Sequence, residues 1–128
     1  MIEKQPDEIA QLMDLVFQQR LSFNQKLVQE EATLRHALVR LGNADFANTS
    51  CKTEHHGMRA VGADLLWQAW LTRHKIEMNT RLANVLARKE ISSTALRKAF
   101  GRSQAADAIR DQFQVEAKLN RQRRDNAN

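Results

Sequence analysis

The residues best suited to chemistry lie near the middle of the chain, where Cys51, Glu54, His55 and His56 follow one another closely. Cysteine and histidine are preferred ligands of Zn²⁺, and the Cys-x3-His spacing of Cys51 and His55 could present two of them. A structural zinc site needs four ligands in a tetrahedron, however, and the adjacent His55 and His56 are poorly placed to bind one ion together. We therefore expect solvated loop side chains here, with no metal and no cofactor.

Groups for catalysis are equally sparse. Glu30 and Glu31 are adjacent, but neighbouring residues on a helix diverge by about 100°, so they do not form a carboxylate dyad. The sequence contains no GxSxG, Walker-type phosphate loop, GxGxxG or HExxH motif. We predict that the protein is not an enzyme.

The composition of the 128 residues predicts one all-α domain. Ala, Leu, Gln, Arg, Lys and Glu dominate, while four glycines and one proline are too few to form the turns of a many-stranded fold. No run approaches the roughly 18 apolar residues of a membrane span, and the N-terminus lacks the basic-then-apolar order of a signal peptide. With a single cysteine and no such segments, we expect a cytoplasmic protein that does not insert into membranes.

The first helix is predicted over about residues 6–41. Pro6, Asp7 and Glu8 suit a first helical turn, and Gly42-Asn43 is a typical helix end. Apolar residues recur at steps of three and four, as in a coiled coil. In this interpretation two rows of residues form the seam. One row is Met13, Arg20, Leu27, Leu34 and Leu41, and the other is Val16, Phe23, Glu30 and Ala37. The charged Arg20 and Glu30 interrupt these rows.

The remainder of the chain is predicted to be a connector at 42–62 and a second, longer helix at about 63–124. Three of the four glycines lie in the connector. The fourth, Gly101, allows two alternatives. One is an antiparallel two-helix coiled-coil hairpin, with a continuous second helix or a kink at 101–103, whose last 25 or so residues have no intramolecular partner. The other is a three-helix bundle with a break near Gly101, in which residues 104–124 fold back. The sequence favours the hairpin.

The charge is uneven along the chain. Residues 1–61 contain 7 Lys and Arg against 8 Asp and Glu, whereas residues 62–128 contain 13 against 7, so the second half carries the whole net charge of +5. Such clustering indicates an electrostatic partner, either an acidic protein or a nucleic acid. Trp67 and Trp70 share one face of the second helix. They are interpreted either as cover for the hairpin against Leu34–Leu41 or as an exposed anchor for a partner.

These features resemble the FliJ/YscO family of coiled-coil proteins in flagellar and injectisome type III secretion. The resemblance covers the size, the shorter first helix, the polar connector and the tryptophan-bearing start of the second helix, GADLLWQAWLTRHKIEMNTRLANVLARKE, followed by LRKAFGRSQAADAIRDQFQVEAKLNRQRRDN. It implies a two-helix stalk that sits in the pore of a hexameric export ATPase, promotes its assembly and touches the export gate, without catalytic residues of its own.

The preferred hypothesis is therefore a non-enzymatic, chaperone-like stalk of an export apparatus. A small basic nucleic-acid-binding regulator is the alternative, and a coiled-coil subunit that dimerises with Arg20 and Glu30 setting the register is a third. The sequence does not specify an oligomeric state. The expected partner-binding residues combine the aromatic pair with bases of the second helix: Trp67, Trp70, Arg97, Lys98, Arg102, Arg110 and Lys118.

Overall fold

The protein is an antiparallel helical hairpin. The structure, a computed structural model, describes residues 4–51 and 58–128, with side chains described at 4–47 and 62–128. It consists of α1, Lys4–Cys51, and α2, Met58–Ala127, and no strand occurs among the described residues. The two helices pack against each other and the second is the longer, with 70 residues against 48, so the predicted fold class is confirmed.

The first helix extends beyond its predicted end. Gly42 and Asn43 lie inside α1, and a Cβ atom built at Gly42 would meet nothing within 4 Å. An interior glycine costs only about 1 kcal/mol relative to alanine, and one turn later Asp45 contacts α2. Its carboxylate accepts hydrogen bonds from Gln68 and Lys75 at 3.2 and 3.1 Å. The predicted helix end at 41 is therefore wrong, and so are the connector bounds of 42–62, because α1 reaches Cys51 and α2 begins at Met58.

The second helix passes through Gly101 without interruption. Gly101 does not have a positive φ, and a Cβ atom there would also meet nothing within 4 Å. Ser103 does not cap a new helix but is buried, with 4% of its surface exposed. The continuous second helix is confirmed, and the three-helix alternative with a break at this point is wrong.

The chain divides into two compact units, each containing part of both helices. The terminal unit comprises Met1–Gln25 and Glu90–Asn128, and the middle unit comprises Lys26–Lys89. The most buried side chains of the middle unit are the large apolar Leu27, Leu71 and Val85. The most buried side chains of the terminal unit are small: Pro6, Ala10, Ser92, Ala99, Ser103 and Ala106.

Buried and half-buried residues define the seam, the row of positions at which each helix faces the other. Arg20 is exposed and Leu21 is half-buried, while Glu30 is exposed and Glu31 is half-buried. The predicted place of Arg20 and Glu30 in the seam is therefore wrong by one residue. On α2 the seam follows steps of four and three without a break: Gln68, Leu71, Lys75, Met78, Leu82, Val85, Lys89, Ser92, Leu96, Ala99, Ser103, Ala106 and Arg110.

The predicted free arm of α2 is shorter than expected. Pro6 and Asp7 of α1 line one groove together with Phe113, Ala117 and Lys118 of α2, so α1 accompanies α2 well past residue 104. Residues 118–127 are all exposed. The difference arises because α1 is twelve residues longer than predicted, with two more residues at its start and ten more at its end, so that it reaches further along α2.

Candidate interaction surfaces

Two ion pairs cross the seam of the middle unit. The Lys75 ammonium lies 3.1 Å from a carboxylate oxygen of Asp45, and that of Lys89 lies 2.7 Å from Glu31. The two acids are two heptads apart on α1, as are the two lysines on α2, and the acid nearer the N-terminus pairs with the lysine nearer the C-terminus. This order fixes an antiparallel arrangement and one register.

Glu31 is the seam residue with the clearest electrostatic signature. Its side chain is 13% exposed and lies 2.9 Å from a guanidinium nitrogen of Arg35 as well as beside Lys89. The hydrogen bond from Lys89, followed by that from Arg35, holds the pKa of the Glu31 carboxyl below its ordinary value of 4.5. Glu31 is therefore an ionised structural group.

The remaining basic residues of this part of α2 are also paired. Arg88 lies 3.2 Å from Glu30, and Arg81 lies 2.8 Å from Glu77 on its own helix. With Lys75 and Lys89, every Lys and Arg of α2 between residues 75 and 89 has an acidic partner. The basic residues of this segment are therefore occupied by ion pairs within the hairpin.

The basic residues predicted to bind a partner all lie in the terminal unit, and most of them are unpaired. Among the residues that the structure describes, no ion-pair partner is found for Arg97, Lys98, Arg102 or Lys118, and all four are exposed. Arg110 differs, because it is half-buried in the seam and lies 3.4 Å from Asp107 and 3.6 Å from Asp111. We therefore interpret Arg110 as a mainly structural residue.

The unpaired bases do not share one face of α2. Arg97 and Lys118 are separated by three heptads and therefore lie on one side of the seam, whereas Lys98 and Arg102, four residues apart, lie on the other. A partner that contacts all four must wrap around the helix, or two partners must use different sides.

Trp67 and Trp70 form an exposed aromatic pair in the middle unit. Their rings stack with centroids 5.0 Å apart at 13°, and 37% and 42% of their surfaces are exposed. His74 packs edge-on against Trp70 with ring centroids 4.1 Å apart. The seam residue that follows Trp70 is Leu71, which is 1% exposed. This arrangement favours the anchor interpretation, since both rings keep a large accessible area.

Neither of the groups considered for chemistry forms a described site. The side chains of Cys51, His55 and His56 lie outside the described residues, so the metal prediction remains a prediction. Among the described residues, no group of three or more His, Cys, Asp or Glu is close enough to hold a metal ion. Glu30 and Glu31 point to different lysine or arginine partners, as their divergence on the helix requires.

Sequence reasoning missed Asp45, Lys75 and Lys89 as seam residues. For Lys75 and Lys89 the available signal was their spacing of two heptads on the predicted second helix. Asp45 offered no such signal, because it lay in the predicted connector at 42–62.

Comparison with protein-family models, curated proteins and solved structures finds no significant match. In the described part of the chain, neither helix is long and apolar enough to cross a membrane. The fold and surface together define an antiparallel helical hairpin with an exposed aromatic pair and exposed unpaired bases.

Proposed function

We propose that the chain is a non-enzymatic coiled-coil interaction protein, a stalk or chaperone-like component of a flagellar or injectisome type III export apparatus. In this proposal it acts in the cytoplasm and docks on a hexameric export ATPase and an export-gate protein. The resemblance to the FliJ/YscO family motivates the choice of partner.

One observation carries the proposal. Within the described residues, Arg97, Lys98 and Arg102 are exposed on one continuous helix and have no acidic partner, whereas the bases between residues 75 and 89 are all paired. Unpaired charge steers association with an oppositely charged surface through long-range attraction. Because the helix is already formed, little ordering entropy is lost when it binds. The Trp67–Trp70 pair supplies the apolar, rigid contact that dominates many interfaces.

Equilibrium binding of the purified chain to the export ATPase of the same organism tests the proposal. We expect a complex in co-sedimentation, and we expect the charge reversal R97E/K98E/R102E to weaken it by about tenfold or more. The matched control is K26E/R40E/R73E, which changes the charge equally in the middle unit at residues that also lack a described ion-pair partner. Equal loss in both variants, or no complex with the native chain, would contradict the proposal.

The nucleic-acid alternative rests on the same unpaired bases. Filter binding to duplex DNA at two salt concentrations separates the two functions, since neutralising several phosphates gives a steep dependence of log affinity on log salt, about 0.9 per phosphate. Tight DNA binding with such a slope, lost in R97E/K98E/R102E, would favour the alternative.

A further inference from the structure

The terminal unit packs its small residues inward and several of its large apolar residues outward. Its buried seam contains Ala10, Ser92, Ala99, Ser103 and Ala106. Its exposed large apolar side chains include Ile9 at 52%, Leu12 at 56%, Phe23 at 49%, Ile91 at 72% and Ile109 at 50%. Because burial of apolar surface is the main stabilising contribution in a coiled coil, this distribution leaves much of that contribution unused within the unit.

These exposed residues share one side of the unit, here named the apolar flank. On α1, Ile9, Val16 and Phe23 follow one another at heptad spacing, and Leu12 lies one turn after Ile9. On α2, heptad spacing joins Ala95, Arg102 and Ile109 in one column and Ile91 and Lys98 in the next.

The two helices contribute to this flank together. Ile9 of α1 and Ile109 of α2 line the same groove, of about 190 Å³, with Pro6, Ala106 and Phe113. At this end, therefore, both helices form the flank.

The charge on the apolar flank has one sign. Lys98 and Arg102 are its charged residues, and both lack an ion-pair partner within the part of the chain that the structure describes. Between residues 9 and 23 of α1 and between 91 and 109 of α2, the acids are Asp14 and Asp107. Both stand at heptad positions on the opposite side of the seam. The apolar flank thus combines large apolar side chains with uncompensated positive charge.

We propose that the apolar flank binds an amphipathic helix of a partner protein, with acidic residues bordering its apolar face, as a third helix against α1 and α2. Its apolar residues cover Ile9, Leu12, Phe23, Ile91 and Ile109, and its acids pair with Lys98 and Arg102. An amphipathic helix fits because the groove between two helices accepts side chains at steps of three and four. This inference goes beyond the proposed function and does not require the partner to be an ATPase.

Charge complementarity favours such a partner over a second copy of the chain. Lys98 and Arg102 lie midway along the α2 part of the flank, so a two-fold pairing of two flanks brings the bases of both copies together. Like charges in an interface disfavour that pairing.

The test uses a designed helical peptide of about three heptads, with Leu and Ile at the seam positions and Glu beside them, and the full-length chain. Fluorescence anisotropy of the labelled peptide is expected to show saturable binding, and a matched peptide with Lys in place of Glu is expected to bind at least tenfold more weakly.

Two pairs of variants localise the site. K98E/R102E is expected to weaken binding of the Glu peptide about tenfold. R97E/K118E, with the same charge change on the other side of α2, is expected to change it less than about twofold. I9S/I109S is expected to abolish saturable binding, whereas L15S/V115S replaces apolar residues exposed by 65% and 57% outside the flank and is expected to leave it intact.

Failure of the Glu peptide to bind, or equal losses in K98E/R102E and R97E/K118E, would overturn the proposal. So would sedimentation showing that the chain alone dimerises and that I9S/I109S makes it monomeric, because a second copy would then occupy the flank. None of these outcomes depends on binding to the export ATPase, so failure here and failure of the proposed function remain distinguishable.

Discussion

The ammonium nitrogen of Lys89 lies 2.7 Å from a carboxylate oxygen of Glu31, at seam positions where most coiled coils carry apolar side chains. Together with Lys75 and Asp45, this pair makes the register of the middle unit specific. A slip of one heptad would place Lys89 opposite Leu38 and Asp45 opposite Leu82, and charges facing leucines lose their partners. With charged residues at these positions the seam buries less apolar surface, but the pairs specify a single register.

Acid is expected to weaken the hairpin through Glu31. Because Lys89 holds the folded pKa of Glu31 below 4.5, the folded chain binds that proton less tightly than the unfolded chain. The stabilisation is therefore fully present above about pH 4.5 and is lost as the pH falls through the folded pKa. Urea unfolding from about pH 3 to about pH 7 should show this loss in the native chain and a flatter acid limb in Glu31→Gln. Substitution of the exposed Glu30, in Glu30→Gln, serves as the control. An unchanged acid limb in Glu31→Gln would show that Glu31 does not cause the loss of stability in acid.

Exchanging the charges of the second seam pair should restore part of its stability. Asp45→Lys or Lys75→Asp alone places like charges together and is expected to cost about 1 to 2 kcal/mol of unfolding free energy. The double exchange is expected to recover at least half of the summed loss, as a double-mutant cycle by urea unfolding would measure. Simple additivity of the two single losses would mean that the pair does not interact.

Both interior glycines are expected to tolerate alanine. A Cβ atom at Gly42 or Gly101 meets nothing within 4 Å, and neither residue has a positive φ. Gly42→Ala and Gly101→Ala should therefore each raise the unfolding free energy by up to about 1 kcal/mol. A loss of stability in Gly101→Ala would instead indicate a helix end at this position, as in the three-helix alternative.

Leu71 and its two neighbouring tryptophans are expected to separate stability from binding. Leu71→Ala removes a side chain that is 1% exposed and should cost about 2 to 4 kcal/mol of unfolding free energy. Trp67→Ala with Trp70→Ala removes half-exposed rings, so we expect a smaller loss of stability but about tenfold or more weaker binding to the export ATPase. Thermal unfolding and co-sedimentation of the same samples measure the two effects. Unchanged ATPase binding in the tryptophan variant would show that the aromatic pair is not part of the interface.

The fold class was predictable because composition and the long periodic segments both point to helices. The end of α1 was not, since Gly42 is a local signal for a helix end, whereas the contacts of Asp45 beyond it are with residues of α2 that are remote in sequence. The placement of Glu30 in the seam was wrong for a similar reason. The seam position belongs to Glu31, which faces Lys89 on the opposite helix, and that contact is not visible from α1 alone.

The candidate surface was only partly predictable. Arg88 and Arg97 look alike in the sequence, yet Arg88 pairs with Glu30 across the hairpin and Arg97 has no such partner within the described ranges. Distinguishing structural bases from available ones requires knowing which acids the other helix presents. Arg110, predicted to contact a partner, illustrates the same difficulty, because it lies beside Asp107 and Asp111 in the folded chain.

The central claim, that the hairpin is a non-enzymatic stalk for an export ATPase, is tested most directly by the ATP hydrolysis rate of that ATPase with and without the purified chain. We predict a rate that rises with added chain to a plateau, and a much smaller rise with R97E/K98E/R102E. A rate that the native chain leaves unchanged at saturating concentration would contradict the claim.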